Sequence, residues 1–333
     1  MEFNVGTRKS KLALIQTDLV VKALSTAWPD YTFNTKARDT AAGDVDKVTP
    51  FKDMPVKNLW THDLETLLQK GELQLLVHSL KDVPTLLPSD CEISAVLERE
   101  SPKDAFVIKA GKPHCKISDL APGAVVGTSS IRRGAQIALK YPHLVVKDVR
   151  GNVGTRLAKL DADDGQFDAL ILAAAGLLRL DLGDRISQYL DSENGGMLHA
   201  VGQGAIGIEN ASNDSRVREI LAAINHTNTF LATTVERSLL RTIEGGCSAP
   251  LGVETTWLTD KAGNPSLRIK ALVVSVDGKH SAAIDLTQPV QTVQDADQFG
   301  QLAASELLSK GADKILAEIK AKKPTTEADL GDK

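Results

Sequence analysis

Aromatic residues make up only 4% of this 333-residue chain, and cations do not outnumber anions: 39 Lys and Arg against 43 Asp and Glu leave a net charge of −4. Nucleic-acid binding draws on basic surface and aromatic stacking, and both are scarce here. The same balance gives no pull toward an anionic membrane. No stretch approaches the ~20 apolar residues of a membrane span. Met1-Glu-Phe-Asn-Val-Gly6 carries neither the basic region nor the apolar run of a secretory signal. Cysteine occurs three times, at 91, 115 and 247, with neither metal-site spacing nor an even count, which suits a reducing compartment. Walker-type loops and His-Glu-x-x-His are missing, so nucleoside triphosphate hydrolysis and zinc proteolysis lack their signatures. Asp161, Asp163 and Asp164 sit outside any loop with EF-hand spacing and read as a solvated helix end. What remains is a chain long enough for two or three cores. The expectation is a cytoplasmic α/β protein without metal, nucleic-acid or membrane partners.

The hydrophobic pattern alternates strand and helix. Phe3 to Thr7 reads as a strand, Leu12 to Ala27 as a helix capped by Ser10, and Tyr31 to Ala37 as the next strand. Asp39 to Lys57 has little periodicity and is long for a loop, so a lid or a disordered segment is expected. Asn58 to Gln69 predicts a helix, and Leu73 to Val77 a buried strand running into His78-Ser-Leu-Lys-Asp-Val-Pro84. A second unit begins near Lys103, with strands at Ala105 to Ile108, Val125-Val126, Val145 to Val149 and Asp168 to Leu172. Helices start at Ile131, Val153 and Ala173. The alternation predicts parallel sheets with ligands at the carboxyl ends of the strands. Helices from Ser215 and Phe230, strands at Leu267 to Val274 and Ala282 to Leu286, and two last helices complete the chain before a fraying tail from Lys320.

Three features bear on chemistry. Gly202-Gln-Gly-Ala-Ile-Gly207 matches the dinucleotide pattern, but it leads into a strand where a phosphate-binding turn should open a helix. Arg241-Thr-Ile-Glu-Gly-Gly-Cys-Ser-Ala-Pro250 ends a helix at paired glycines, placing Cys247 on a turn. The thiol there is either a nucleophile open to an external electrophile or a small buried hydrophobe. Most informative are the arginines. Arg8, Arg132, Arg133, Arg150 and Arg156 follow expected strand ends, and Arg179 closes a short helix. They lie among Ser, Thr and Gly, as in Gly6-Thr-Arg-Lys-Ser10 and Gly127-Thr-Ser-Ser-Ile-Arg-Arg133. Helix N-termini and guanidinium forks bind anions. The pattern therefore predicts a polyanion cleft between two α/β domains. Lys81-Asp82 would set one carboxylate among those cations, unless Asp82 is an ordinary turn residue before proline.

Six segments, in order, resemble the porphobilinogen deaminase (hydroxymethylbilane synthase) family: Gly6 to Leu14, Val77 to Pro84, Val126 to Arg133, Val149 to Arg156, Ala200 to Ala205 and Glu244 to Cys247. The resemblance implies a transferase of tetrapyrrole (haem) biosynthesis, acting as a monomer. Its fold would be α/β, with two periplasmic-binding-protein-like domains around a cleft and a smaller α+β C-terminal domain. The implied units are 1–102 with 205–225, then 103–204, then 226–333. The family links a dipyrromethane cofactor to a cysteine, here Cys247, adds four porphobilinogens head to tail with loss of ammonia, and releases hydroxymethylbilane. Asp82 would be the catalytic carboxylate. Lys81, Asp82, Thr128, Ser130, Arg132 and Arg133 would hold the cofactor. Arg8, Ser10, Lys57, Arg150, Arg156 and Arg179 would hold substrate. The chain departs from the family pattern in Asp53-Met-Pro-Val-Lys57, where Asp53 stands in place of a lysine, and at His62-Asp63, which replaces a lysine–acid pair. The competing reading, a non-catalytic two-domain anion binder, leaves Cys247 and Asp82 without a task.

Overall fold

A computed structural model of the chain describes residues 1–39, 61–243, 249–259, 261 and 263–321. The expected lid over Asp39 to Lys57 falls outside this set except for its first residue, as does the tail beyond 321. The first unit contains β1 (Glu2–Arg8), α1 (Lys11–Ala27), β2 (Thr32–Arg38), α2 (His62–Gln69), β3 (Leu75–Ser79) and β4 (Cys91–Val96). The chain then crosses to β5 (Asp104–Ile108), β6 (Val125–Gly127), α3 (Ile131–Lys140), β7 (Val145–Lys147), α4 (Val153–Asp161), β8 (Ala169–Ala173), α5 (Ala174–Arg179) and β9 (Gln188–Leu190). It returns as β10 (Ile206–Ala211) and α6 (Ser215–Ala222). The third unit is α7 (Thr227–Thr242), β11 (Leu251–Thr259), β12 (Pro265–Val274), β13 (Ser281–Gln288), α8 (Val293–Leu307) and α9 (Asp313–Ala321).

Both large sheets are five-stranded, in the orders β2-β1-β3-β10-β4 and β7-β6-β8-β5-β9. They are mixed, which corrects the expectation of parallel sheets. The βα units give parallel neighbours, but β10 runs antiparallel to β3 and β4, and β5 runs antiparallel to β8 and β9. The reversed strands are those that cross between domains. Each enters its sheet from the interdomain side, where the parallel strands end, so it must run against them. The expected crossing strand over Ala200 to Glu209 begins only at Ile206, because Gly202 and Gly204 hold positive φ in the turn before it. β4 and β9 carry too little periodicity to be read in advance. No helix among the described residues is long and apolar enough to cross a membrane.

Both sheets are covered on both faces, which explains their near-continuous apolar runs. In β3, Leu75 and Val77 join Phe3, Val5, Val20 and Leu24 on one face, while Leu76 packs with Leu64 and Leu68 of α2 on the other. In β5, Ala105 and Val107 face Leu157 and Leu177, whereas Phe106 and Ile108 face Ile137 and Leu190. Each fully buried Leu or Phe contributes about 1.5–3 kcal/mol. The third unit lays α7 and α8 on an antiparallel three-stranded sheet. It docks on α3 through Ala135, Leu198, Leu272 and Val274.

One polar cluster lies inside the first unit. His78 Nε2 meets Glu209 Oε2 at 2.9 Å between β3 and β10, with both side chains buried. Glu65 of α2 is buried beside them. Burial lifts its carboxyl above the ordinary range, the Glu209 carboxylate adds to the lift, and His78 pulls the other way.

Two outcomes follow from this packing. Because Glu65 is harder to ionise folded than unfolded, its contribution to stability is complete below the ordinary carboxylate pKa of about 4.3 and is lost as pH rises through the lifted value. Urea unfolding across pH 4–8 should show wild type losing stability relative to Glu65→Gln over that window; a pH-independent difference would contradict the assignment. Gly204 has φ +85°, and a Cβ there would collide with the carbonyl oxygens of Glu100 and Ser101. Gly204→Ala should destabilise by about 2–4 kcal/mol in denaturant melts. Gly71→Ala, at φ +74° in open space, should lose only about 1–2 kcal/mol.

Candidate active site

The candidate site lies where the parallel strands of both large sheets end. β3 passes through Ser79 into a 3-10 turn, Leu80–Asp82. Ser79 Oγ donates to Gln16 Oε1 at 3.0 Å, and the Leu80 amide donates to the Ala205 carbonyl at 3.0 Å. The glycines of the return crossing explain how its backbone comes so close. A Cβ on Gly202 would stand 3.2 Å from the Lys81 amide, and one on Gly207 2.8 Å from Leu80 Cδ1. The segment that mimics a dinucleotide motif is thus a packing surface for the turn that carries Lys81 and Asp82.

From the second sheet, β6 ends at Gly127 and α3 begins with Ser130 as N-cap. Its Oγ accepts from the Arg133 amide at 3.4 Å, while Thr128 Oγ1 accepts from the Ser130 amide at 3.2 Å. Ser129 Oγ donates to the Val149 carbonyl, fastening this turn to the chain just before Arg150. A capped helix start with free amides favours negative charge.

Arg132 and Arg133, in the first turn of α3, converge on Asp104, the first residue of β5, which is fully buried. Arg132 Nη1 donates to Asp104 Oδ2 at 2.7 Å and to the Leu198 carbonyl at 2.6 Å. Arg133 reaches Asp104 Oδ1 through Nε at 3.0 Å and Nη2 at 2.7 Å, and its Nη1 donates to the Ile171 carbonyl at 2.9 Å. Gln203 Nε2 adds a further bond to Asp104 Oδ1 at 2.9 Å and one to the Pro102 carbonyl at 2.7 Å. Burial alone would raise the Asp104 pKa, but the two guanidiniums overcome it and hold the carboxyl far below its usual range. Arg132 Nε is buried without a partner among the described residues.

These groups share one electrostatic neighbourhood. Burial pushes the Lys81 ammonium below the ordinary lysine range; Arg133 and Arg156 add to that, and Asp82 and Asp104 oppose it. Arg156 is lowered first by burial and then by Arg133, with Asp148 and Asp82 opposing. Its Nε donates to the Gly151 carbonyl at 2.6 Å. Lys81, Asp82, Asp104, Arg133 and Arg156 are therefore brought together from both large domains. Arg150 lies within range of Arg156.

The other expected residues are placed less centrally. Arg8 closes β1 at the same edge of its sheet, and the Ser10 hydroxyl caps α1 by accepting from the Ala13 amide at 3.3 Å. Arg179 donates to the Gly204 carbonyl at 2.8 Å and is half-buried near Glu100, toward the crossings. Cys247 and Lys57 lie outside the described residues. Sequence reasoning missed Asp104 and Gln203. Nothing in Ser101-Pro-Lys-Asp104 marks that aspartate, since its partners are 28, 29 and 99 positions away.

Known proteins match along nearly the whole chain. Residues 3–219 match the family model for the porphobilinogen deaminase dipyromethane cofactor binding domain, and residues 230–309 match that for the porphobilinogen deaminase C-terminal domain. Porphobilinogen deaminase of Yarrowia lipolytica is 48% identical over 320 residues, covering 95% of this chain and 92% of that protein. The Neurospora crassa protein of the same name is 46% identical, with 94% and 92% covered. That of Synechococcus elongatus is 42% identical, with 95% and 94% covered. A periplasmic sulfonate-binding protein of Methylobacillus flagellatus overlaps 70% of this chain and 68% of its own at 13% identity and a TM-score of 0.41, too loose a likeness to add to the strand orders above. The chain belongs to the porphobilinogen deaminase family.

Proposed function

We propose that this chain condenses porphobilinogen head to tail on a dipyrromethane bound at Cys247, releasing ammonia at each addition and finally hydroxymethylbilane. We propose Asp82 as the catalytic carboxylate, with the site divided among residues 1–102 with 205–225, 103–204 and 226–333. The observation that carries the reading is the charge pattern. Asp82 acts on both Lys81 and Arg156, two cations that Arg133 also crowds, while Asp104 is already taken up by Arg132, Arg133 and Gln203. A plain anion-binding cleft gains nothing from a carboxylate in that position.

The residues present suit a covalently held dipyrromethane with acetate and propionate side chains. The capped start of α3, the Thr128 and Ser130 hydroxyls and Lys81 form an anion-accepting wall. The Nε–H of Arg132, without a partner among the described residues, adds a donor, and Arg133 supplies positive charge beside it. We assign Lys81, Thr128, Ser130, Arg132 and Arg133 to hold it. When bound, it supplies the free pyrrole α-carbon that receives the first substrate unit. The thiol assignment has support by elimination: Cys91 is buried, with its thiol pushed up to about 12, and burial also raises Cys115. The raised values disfavour the thiolate at both, and Cys247 is the cysteine that stands in the Glu-Gly-Gly-Cys segment of the family pattern.

Arg8, Ser10, Lys57, Arg150, Arg156 and Arg179 are assigned to the carboxylates of incoming and added units. Guanidinium forks suit such groups. The substrate's aminomethyl group is an ammonium at neutral pH, so ammonia leaves without a strong acid. Departure leaves an azafulvenium cation, which the arginines would repel. Asp82 reverses the local field where that cation develops, and preorganised groups of this kind supply several kcal/mol. We further propose that the chain works as a cytoplasmic monomer.

Intact-mass spectrometry should show the purified protein heavier than its sequence by two linked pyrroles, and Cys247→Ala at the sequence mass. A fully active protein of sequence mass would overturn the attachment. Asp82→Asn should keep the added mass and still bind porphobilinogen, yet consume it ~10²–10⁴-fold more slowly in single turnover. Asp82→Glu should retain part of the rate. Wild-type turnover in Asp82→Asn would make the carboxylate merely structural.

A further inference from the structure

The Asp82 turn is held from two sides. Its amino-terminal flank is fastened within the first domain and to the return crossing, through Ser79 with Gln16 and Leu80 with Ala205. Its carboxyl-terminal flank is fastened from the third domain. Arg237 of α7 donates from Nη1 to the Val83 carbonyl at 3.0 Å and from Nη2 to the Pro84 carbonyl at 2.7 Å. Those carbonyls belong to the two residues after Asp82. Phe230, one turn into the same helix, packs with Leu80 and Val83.

The neighbouring residue on α7 makes the helix a fixed reference. Glu236 is fully buried, and Arg99 grips it with Nη1 on Oε1 at 2.7 Å and Nη2 on Oε2 at 3.0 Å. The Gly202 amide reaches Oε2 at 2.8 Å, and Thr255 Oγ1 donates to Oε1 at 2.7 Å. Successive helical residues point about 100° apart. One turn of α7 thus holds both interdomain crossings with Glu236 and the Asp82 turn with Arg237. The same helix runs on to Thr242, five residues before Cys247 in sequence.

We propose that Arg237 is a positioning residue for the condensation: its fork on the Val83 and Pro84 carbonyls ties the Asp82 carboxylate to α7, the helix that precedes Cys247 in sequence. The inference rests on Asp82 being the catalytic carboxylate. A planar guanidinium spans two carbonyls at once, which an ammonium does not. Without the fork, the turn keeps its amino-terminal anchors and the apolar contact with Phe230 but loses its directional hydrogen bonds to the third domain, which set where the carboxylate stands relative to it.

The test is a double-mutant cycle on single-turnover porphobilinogen consumption by cofactor-loaded protein, using wild type, Arg237→Met, Asp82→Asn and the double variant. Arg237→Met should lower the rate roughly 10- to 100-fold, with KM for porphobilinogen within about threefold, as expected for a misplaced catalytic group. In the Asp82→Asn background the same change should have almost no further effect, because the carboxylate it places is gone. Losses that multiply would make Arg237 structural only, and a wild-type rate in Arg237→Met would dismiss the inference outright. If Asp82→Asn alone runs at the wild-type rate, the reading of Asp82 fails first, and the cycle shows which of the two is wrong. Should Arg237→Met not fold, Arg237→Lys goes through the same cycle, with a smaller loss expected and the same test of additivity.

Discussion

A site built to hold a polyanion must keep several cations close together while it is empty, and like charges a few ångströms apart repel by on the order of 4 kcal/mol at an effective dielectric near 20. Asp104 is the answer this chain gives. One fully buried carboxylate receives both guanidiniums of Arg132 and Arg133 and the amide of Gln203. Buried pairs of this sort contribute little net stability against an apolar alternative, but losing one partner strands the other charge. The consequence is geometric. With its Nε, Nη1 and Nη2 all engaged, Arg133 has one orientation, and the charge it contributes near Lys81 is fixed in place before any ligand arrives.

The location of Asp104 and Gln203 matters as much as their charge. Asp104 opens β5, the outgoing crossing, and Gln203 lies in the return crossing just before β10. The bonds from Gln203 to Asp104 and to the Pro102 carbonyl close the two crossings on each other directly behind the arginine pair. Arg99 extends the same arrangement: its Nε donates to the Gln203 carbonyl at 2.8 Å, and its fork reaches Glu236 of α7. A connected set of buried polar contacts therefore runs from the third domain through both crossings to the arginines. Such connected networks specify one arrangement more than they add stability, and here Arg132 Nε stays without a partner among the described residues.

Much of the local structure was legible from spacing. Ser10 and Ser130 cap α1 and α3 as their positions before apolar runs imply. The run at Leu75 to Val77 is a buried strand leading into Lys81-Asp82. The arginines after Gly127 and Val149 stand at one edge of the second sheet because βα units end their parallel strands on one side. Strand direction was less legible. Apolar content shows that β5 and β10 are buried on both faces, but not that each arrives from the opposite domain and runs antiparallel.

By itself, the sequence determined many of the element types, the recurrence of arginine and hydroxyl residues at strand ends, the paired glycines just before Cys247, and the family. Those features are local: caps, periodicities and short motifs are set by residues within a few positions of one another. Only the tertiary structure decided that Arg132 and Arg133 share Asp104, that the glycines of 202–207 serve close packing on the Asp82 turn, and that Arg237 reaches that turn from 153 and 154 positions away. A carboxylate's partners inside a protein are chosen by how strands cross and helices dock. One aspartate beside a proline looks like another until the chain has folded around it.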